Sequence, residues 1–195
     1  PQLVIDTITE QEALLNVGRI NPRRVNAKYY FVEKRPSNFD YLKALVSSRY
    51  GAARLERDII LCKGAFHQHL DQINGDIQSR KGGQRAIFLL DQYAYDQITA
   101  FQLGKIFSEV EGAEVILTFG VDSLISFLGD NSKSRAKMEA VGLGSHIDWV
   151  ALEALRGAPN NQWRAGIQRN LAQGLCWNAA DRCHCFRAIA LDIFF

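Results

Sequence analysis

Short apolar segments alternate with longer amphipathic segments over the first 120 residues, and this alternation constrains the fold most. The apolar segments, in chain order, are LVID, KYYFVEK, RDIILCKG, RAIFLLD and AEVILTFG. Five strand–helix repeats with short connections are typical of a parallel sheet covered by helices on both faces. With right-handed crossovers they predict an α/β fold, a doubly wound, mostly parallel, Rossmann-like sheet.

The amphipathic segments carry apolar residues at helical spacing. In the segment 98–110, this spacing predicts that Ile98, Phe101, Ile106 and Val110 face the core. The strands themselves are continuously apolar rather than alternating, which predicts burial on both faces.

No repeat or linker divides the 195 residues, so we expect a single domain. Residues 1–120 would form the Rossmann-like core. Residues 121–195 would be a mainly helical C-terminal extension, in which CHCFRAIALDIFF could form a closing strand.

Charge and cysteine usage bound the function classes. The net charge of +2, from 23 basic and 21 acidic side chains, gives no bulk argument for nucleic acid and leaves a local basic patch open. Arg19, Arg23, Arg24, Lys28 and Arg35 could contact phosphates or form a solvated surface. Four cysteines favour a reducing, cytoplasmic compartment. No apolar run approaches the roughly 20 residues of a membrane helix.

The cysteine and histidine clusters have poor metal-site spacing. Cys176, Cys183 and Cys185 do not form paired C-x2-C patterns, and neighbours on a strand point to opposite faces. His67 and His69 would not share a helix face. We therefore interpret the cysteine segment as a half-buried strand and the two histidines as surface or helix-start residues. We expect no metal site.

Three of the five predicted strands end in an acid, namely Asp6, Glu33 and Asp91. In open α/β sheets, ligands bind at the carboxyl ends of the strands. Glu33, followed by Lys34, could accept both ribose hydroxyls of a nucleoside or could be a solvated acid. Asp91 with Tyr93 could hold a flat substrate with an amino group, or Asp91 could cap a turn while Tyr93 packs on the sheet edge.

At these strand ends the sequence resembles Rossmann-type S-adenosylmethionine-dependent methyltransferases, and among them the three-Cys-motif partner proteins. FVEKRPSNFDYLKALV is similar to their second motif, LCKGAFHQHLDQI to the third and IFLLDQYAYDQITAFQLGKIF to the fourth. The similarity runs in order from about Leu3 to about Leu175. It implies a methyltransferase-like domain with S-adenosylmethionine as cofactor and in-line transfer to an acceptor such as a nucleobase amine. The resemblance assigns the cofactor to Asp6, Glu33, Lys34, Ala65 and Phe66, and the acceptor to Asp91 and Tyr93.

The sequence departs from this family at several points, including Ala94, which stands where the family has Gly, and a C-terminal segment that matches the family's strand pair poorly. Asp6–Thr9 contains no glycine where the family has a glycine-rich loop. Either the loop has been lost, or its residues are missing from the sequence near 7–10, and the direct passage into a helix favours the second. Ala65 stands where the family has Asp, and Gln92 where it has Pro. Because of these departures, a second interpretation stays open. In it the chain is a non-catalytic binding protein that acts with a protein or nucleic-acid partner in a mobile-element or defence system. A nucleotide hydrolase or transferase is the third option, without a P-loop motif to support it.

Overall fold

The computed structural model describes residues 1–81, 85–91, 97–118, 131–155 and 162–178. They form a mixed α/β structure whose strands make two separate parallel pairs, β1 with β2 and β3 with β4. The elements in chain order are α1 (Gln2–Leu15), β1 (Tyr29–Glu33), α2 (Pro36–Tyr50), α3 (Ala52–Arg57), β2 (Ile59–Lys63), α4 (Phe66–Gln78), β3 (Arg85–Asp91), α5 (Ala100–Glu109), β4 (Gly112–Thr118), α6 (Ser132–Ala140), a 3₁₀ turn (Gly144–His146), α7 (Trp149–Leu155) and α8 (Gln162–Asn178).

The chain divides into two compact units, Pro1–Ile73 and Asn74–Phe195. The first contains the pair β1–β2 and the second contains the pair β3–β4. Four of the five predicted strands are confirmed. The predicted closing strand and the segment DSLISFL lie outside the described residues.

The predicted first strand is wrong, because Leu3–Asp6 belong to helix α1. The segment LVID is too short for its apolar residues to decide the conformation alone, and strong helix formers follow it in EQEALL. Ile5 is fully buried, and its half-buried neighbours include Ile8 and Glu12, at the spacing of a helix face. Residues 7–10 are therefore the second turn of a helix and not a loop after a strand.

The core of the first unit is built from one residue of each of three elements. Ile5 of α1, Val46 of α2 and Ile59 of β2 are all fully buried. Partly buried side chains surround them, namely Tyr29, Phe31, Leu42, Tyr50, Leu55 and Leu61. This core fixes α1 and α2 against the β1–β2 pair.

The second unit buries one face of its strand pair. Phe88 and Leu90 of β3 are buried, whereas Ile87, Leu89 and Ile116 are 66%, 52% and 59% exposed. The prediction that these strands are buried on both faces is therefore wrong for β3 and β4. Their side chains alternate as in a sheet covered on one side.

Helix α5 begins with a capping box, in which Thr99 Oγ1 accepts from Gln102 N and Gln102 Oε1 accepts from Thr99 N. Ile106 and Val110 are buried as predicted, but Phe101 is 75% exposed. Ala100, Gln102, Leu103 and Ile106 are the helix residues that face the core, so the prediction for Phe101 is wrong. Among the helices described, none is long and apolar enough to cross a membrane.

Candidate functional site

The carboxyl ends of β1 and β2 lie side by side at one edge of the first sheet. Glu33 is in register with Lys63. The Gly64 N–H donates to the Glu33 carbonyl at 3.0 Å, which continues the ladder one residue past the strand. Helix α2 begins three residues after Glu33, and α4 begins three residues after Lys63. Both connections therefore turn at the edge where open α/β sheets bind ligands.

The Glu33 side chain at this edge is half-buried, and one of its two carboxylate oxygens is bonded. Its Oε1 accepts from the backbone N–H of Arg35 at 2.7 Å. Within the described part of the chain, no donor is found for the second carboxylate oxygen, Oε2. Because a carboxylate oxygen accepts two hydrogen bonds, Glu33 retains capacity for a ligand hydroxyl.

The turn after β2 is held by two side chains from the first turn of α4. Gln68 Oε1 accepts from the Ala65 N–H at 2.8 Å, and His69 Nε2 lies 3.1 Å from the Lys63 carbonyl oxygen. Gly64 in this turn has φ +139°, and a Cβ there would lie 2.5 Å from Gln68 Oε1. Only glycine fits this position without displacing Gln68.

The remaining residues assigned to the cofactor differ in exposure. Lys34 is exposed and directly follows Glu33, whereas Ala65 and Phe66 are half-buried where α4 begins. The structure thus brings Glu33, Lys34, Ala65 and Phe66 to one edge. The Lys63 ammonium lies 5.5 Å from the Phe39 ring centroid at the start of α2, and it adds a positive charge there.

Asp6 is not part of this edge, because it lies on α1 and not at a strand end. Its carboxylate accepts from the Tyr50 hydroxyl at 2.8 Å and from Arg49 Nη2 at 2.5 Å. Tyr50 is the last residue of α2, about 21 Å along the helix from its start beside Glu33. The Tyr50 hydrogen bond, aided by Arg49, holds the pKa of Asp6 below its usual value. Burial, and then the Asp6 carboxylate, raise the pKa of Tyr50.

The residues assigned to the acceptor lie in the second unit. Asp91 ends β3 as predicted, is exposed, and accepts from Thr118 Oγ1 of β4 at 2.6 Å. Tyr93 and Gln92 lie outside the described residues. The structure therefore shows how Asp91 is held and tests neither the acceptor role of Asp91 nor that of Tyr93.

Gln68 and His69 are the residues at the edge that sequence reasoning missed. The sequence pattern makes His69 a surface or helix-start residue, yet its Nε2 lies within hydrogen-bond distance of a strand-end carbonyl. The spacing of Ala65 and Gln68, an N-cap residue followed three positions later by Gln, is half of a capping-box pattern and could have indicated the contact.

The chemistry available at this edge is recognition of a ligand. A carboxylate acceptor, two lysines and a preformed turn suit a polar ligand with hydroxyl groups. Within the described ranges, no group of three His, Cys, Asp or Glu side chains could hold a metal ion. Cys62 is buried in β2, while Cys183 and Cys185 fall outside those ranges.

Comparison with known proteins adds no relative: no protein-family model, curated protein or solved structure matches the chain. The resemblance to methyltransferases therefore continues as a prediction.

Proposed function

We propose that the chain is a methyltransferase-like protein that binds the nucleoside part of S-adenosylmethionine at the carboxyl edge of β1–β2. The observation that carries the proposal is the position and bonding of Glu33. It ends a parallel strand beside the Gly64 turn, and it keeps one carboxylate oxygen without a donor among the described residues. A ribose offers two neighbouring hydroxyl donors to such a carboxylate.

In this proposal the other residues of the edge surround the nucleoside. Lys34 flanks the ribose, and Ala65 and Phe66 lie beside the adenine. Asp91 and Tyr93 hold the methyl acceptor, for which we propose a nucleobase amine. The proposal also includes a full doubly wound sheet and a cytoplasmic location. Asp6 is left out, because both of its oxygens are already bonded to α2.

A non-catalytic binding protein is the second candidate, and one observation favours it. The Ala65 N–H is already bonded to Gln68, and Ala65 has no polar side chain. The turn therefore offers neither a carboxylate for the adenine amino group nor an unbonded Ala65 N–H. This favours an edge that binds a protein or nucleic-acid partner and transfers no methyl group.

Calorimetric titration of S-adenosylmethionine into the chain tests the first proposal. We expect binding that Glu33→Gln weakens by at least about tenfold, since hydrogen bonds to a charged group contribute about 1.5–3 kcal/mol. The amide oxygen of the substituted side chain can still accept from Arg35 N, so the turn is kept. The matched control is Glu10→Gln, an exposed acid on α1.

Two results would contradict the nucleoside assignment. One is no heat at millimolar S-adenosylmethionine. The other is equal affinity of the Glu33→Gln and Glu10→Gln variants. Binding without transfer of a labelled methyl group to single-stranded oligonucleotides would favour the non-catalytic candidate.

A further inference from the structure

A cavity lies at the opposite edge of the first sheet, where β1 and β2 begin. It has a volume of about 370 Å³, within the size range of small-ligand sites. Tyr29, the first residue of β1, and Asp58, directly before β2, line it. The five-residue strands place this edge about 13 Å from Glu33, so the cavity is separate from the proposed nucleoside site.

Three arginines line the cavity, Arg24 before β1 and Arg54 and Arg57 of α3. Two carboxylates, Glu12 and Asp58, also line it, so three cations minus two anions leave a net charge of +1. No acidic residue occurs in the sequence between Glu12 and Glu33. The sequence around Arg24 is therefore basic, although the whole chain has a net charge of only +2.

Both oxygens of the Asp58 carboxylate are already bonded to arginines of the cavity. Asp58 accepts from Arg54 Nε at 3.0 Å and from both Nε and Nη2 of Arg57. Those hydrogen bonds, led by Arg57, hold the pKa of Asp58 below its usual value. Asp58 thus orients two guanidinium groups, and each retains N–H donors, because arginine has five.

The segment that carries Arg24 is fixed to α1 by side chains. Asn16 donates through Nδ2 to the Arg23 carbonyl at 2.7 Å and accepts from the Arg23 N–H at 2.6 Å. Glu12 Oε2 accepts from the Val25 N–H at 3.0 Å. The residues on both sides of Arg24 are therefore held, while its own guanidinium has no hydrogen bond or ion pair within the described part of the chain.

From this arrangement we infer that Arg24, Arg54 and Arg57 form a phosphate-binding site. Oriented guanidinium groups match the tetrahedral oxygens of phosphate and bind them through paired N–H donors. The phosphate could be free or could belong to a nucleic-acid backbone, and both sources present the same oxygens to the arginines. The inference does not depend on the nucleoside site at the other edge.

Two probes distinguish the sources of the phosphate: pyrophosphate by calorimetry, and a fluorescent single-stranded RNA of about 12 nucleotides by anisotropy at several salt concentrations. We expect Arg24→Gln to weaken binding of at least one probe by about tenfold or more. The matched control Arg169→Gln, which removes an exposed arginine of α8, should leave it unchanged.

If Arg24→Gln loses binding of both pyrophosphate and RNA, the site is a general phosphate site. Loss of RNA binding alone, with the slope of log affinity against log salt reduced by about 0.7, would assign a backbone phosphate. Failure of the wild-type chain to bind either probe would overturn the inference, as would equal affinities of the two variants. Circular dichroism of Arg24→Gln checks that the fold is kept.

Discussion

The two strand pairs look alike in sequence but are built differently. Each is a parallel pair whose first strand ends in an acid, Glu33 in β1 and Asp91 in β3. Glu33 bonds to the backbone of its own turn, whereas Asp91 bonds across the pair to Thr118. Each carboxylate therefore has one oxygen bonded within the described residues. The two differ in what the bond holds, since that of Glu33 closes a turn and that of Asp91 joins two strands.

The two pairs also differ in which residues are buried. Ile59 of β2 is fully buried in the core formed with Ile5 and Val46. Ile87 of β3 has 66% of its surface exposed. The same apolar residue type in a predicted strand therefore contributes to a core in one pair and to a surface in the other.

The largest predicted effect concerns this difference in burial. We expect Ile59→Ala to lower the free energy of unfolding by about 2–5 kcal/mol, because it removes buried methylenes and leaves a cavity. Ile87→Ala should cost less than about 1 kcal/mol, since its side chain is already largely in water. Urea denaturation measures both. Equal costs would mean that β3 is covered on both faces, and would remove the distinction between the pairs.

The sequence predicts the strands better than it predicts their surroundings. KYYFVEK and RDIILCKG form β1 and β2 because aromatic and β-branched residues fill a half-buried sheet. LVID has the same local character but becomes helical, because the helix formers after it and the burial of Ile5 outweigh four residues. Exposure of Ile87 and Phe101 depends on which elements pack against them, and a continuous apolar run does not encode that. Gln68 and His69 bond to the turn after β2 through local contacts. The pairing of the Gly64 N–H with the Glu33 carbonyl is a contact between distant residues, which the local sequence does not encode.

The second prediction tests whether the turn after β2 is preformed. Gly64→Ala should destabilise the protein by about 1–3 kcal/mol, since φ +139° is a region that only glycine occupies readily and the new Cβ would displace Gln68. Gly75→Ala is the matched control. Gly75 is an exposed position inside α4 with no heavy atom near the added Cβ, so the change should stabilise by about 0.5–1 kcal/mol. Thermal unfolding with opposite shifts for the two variants is the expected result. A neutral Gly64→Ala would refute the constraint.

The third prediction concerns the strand end of the second pair. Thr118→Val keeps the shape of the side chain but removes the hydroxyl that donates to Asp91 and lies 3.4 Å from the Leu90 carbonyl. We expect a loss of at most about 1 kcal/mol in chemical denaturation, because Asp91 is exposed and water can replace the donor. Thr118→Ser retains the hydroxyl and should lose less. A larger loss for Thr118→Ser than for Thr118→Val would show that the methyl group, and not the hydrogen bond, stabilises this end.

The smallest predicted effect sharpens the electrostatics of the first unit. The pKa of Asp6 is lower in the folded chain than its ordinary value of 3.8, chiefly because the Tyr50 hydroxyl donates to it, with Arg49 assisting. A depressed folded-state pKa gives stability that is fully present above about pH 3.8 and is lost as the pH falls through the folded-state pKa. Asp6→Asn should therefore be less stable than wild type at pH 7, and the difference should shrink at lower pH.

Denaturation of both proteins at about pH 7 and about pH 3 measures this change, with Asp40→Asn as the control for removal of an exposed carboxylate on α2. A difference between Asp6→Asn and wild type that stays the same at both pH values would mean that packing, and not the charge on Asp6, links α1 to the end of α2. A difference that grows at low pH would reverse the sign of the linkage. Either result would contradict the account in which the charged Asp6, bonded to Tyr50 and Arg49, links α1 to the end of α2.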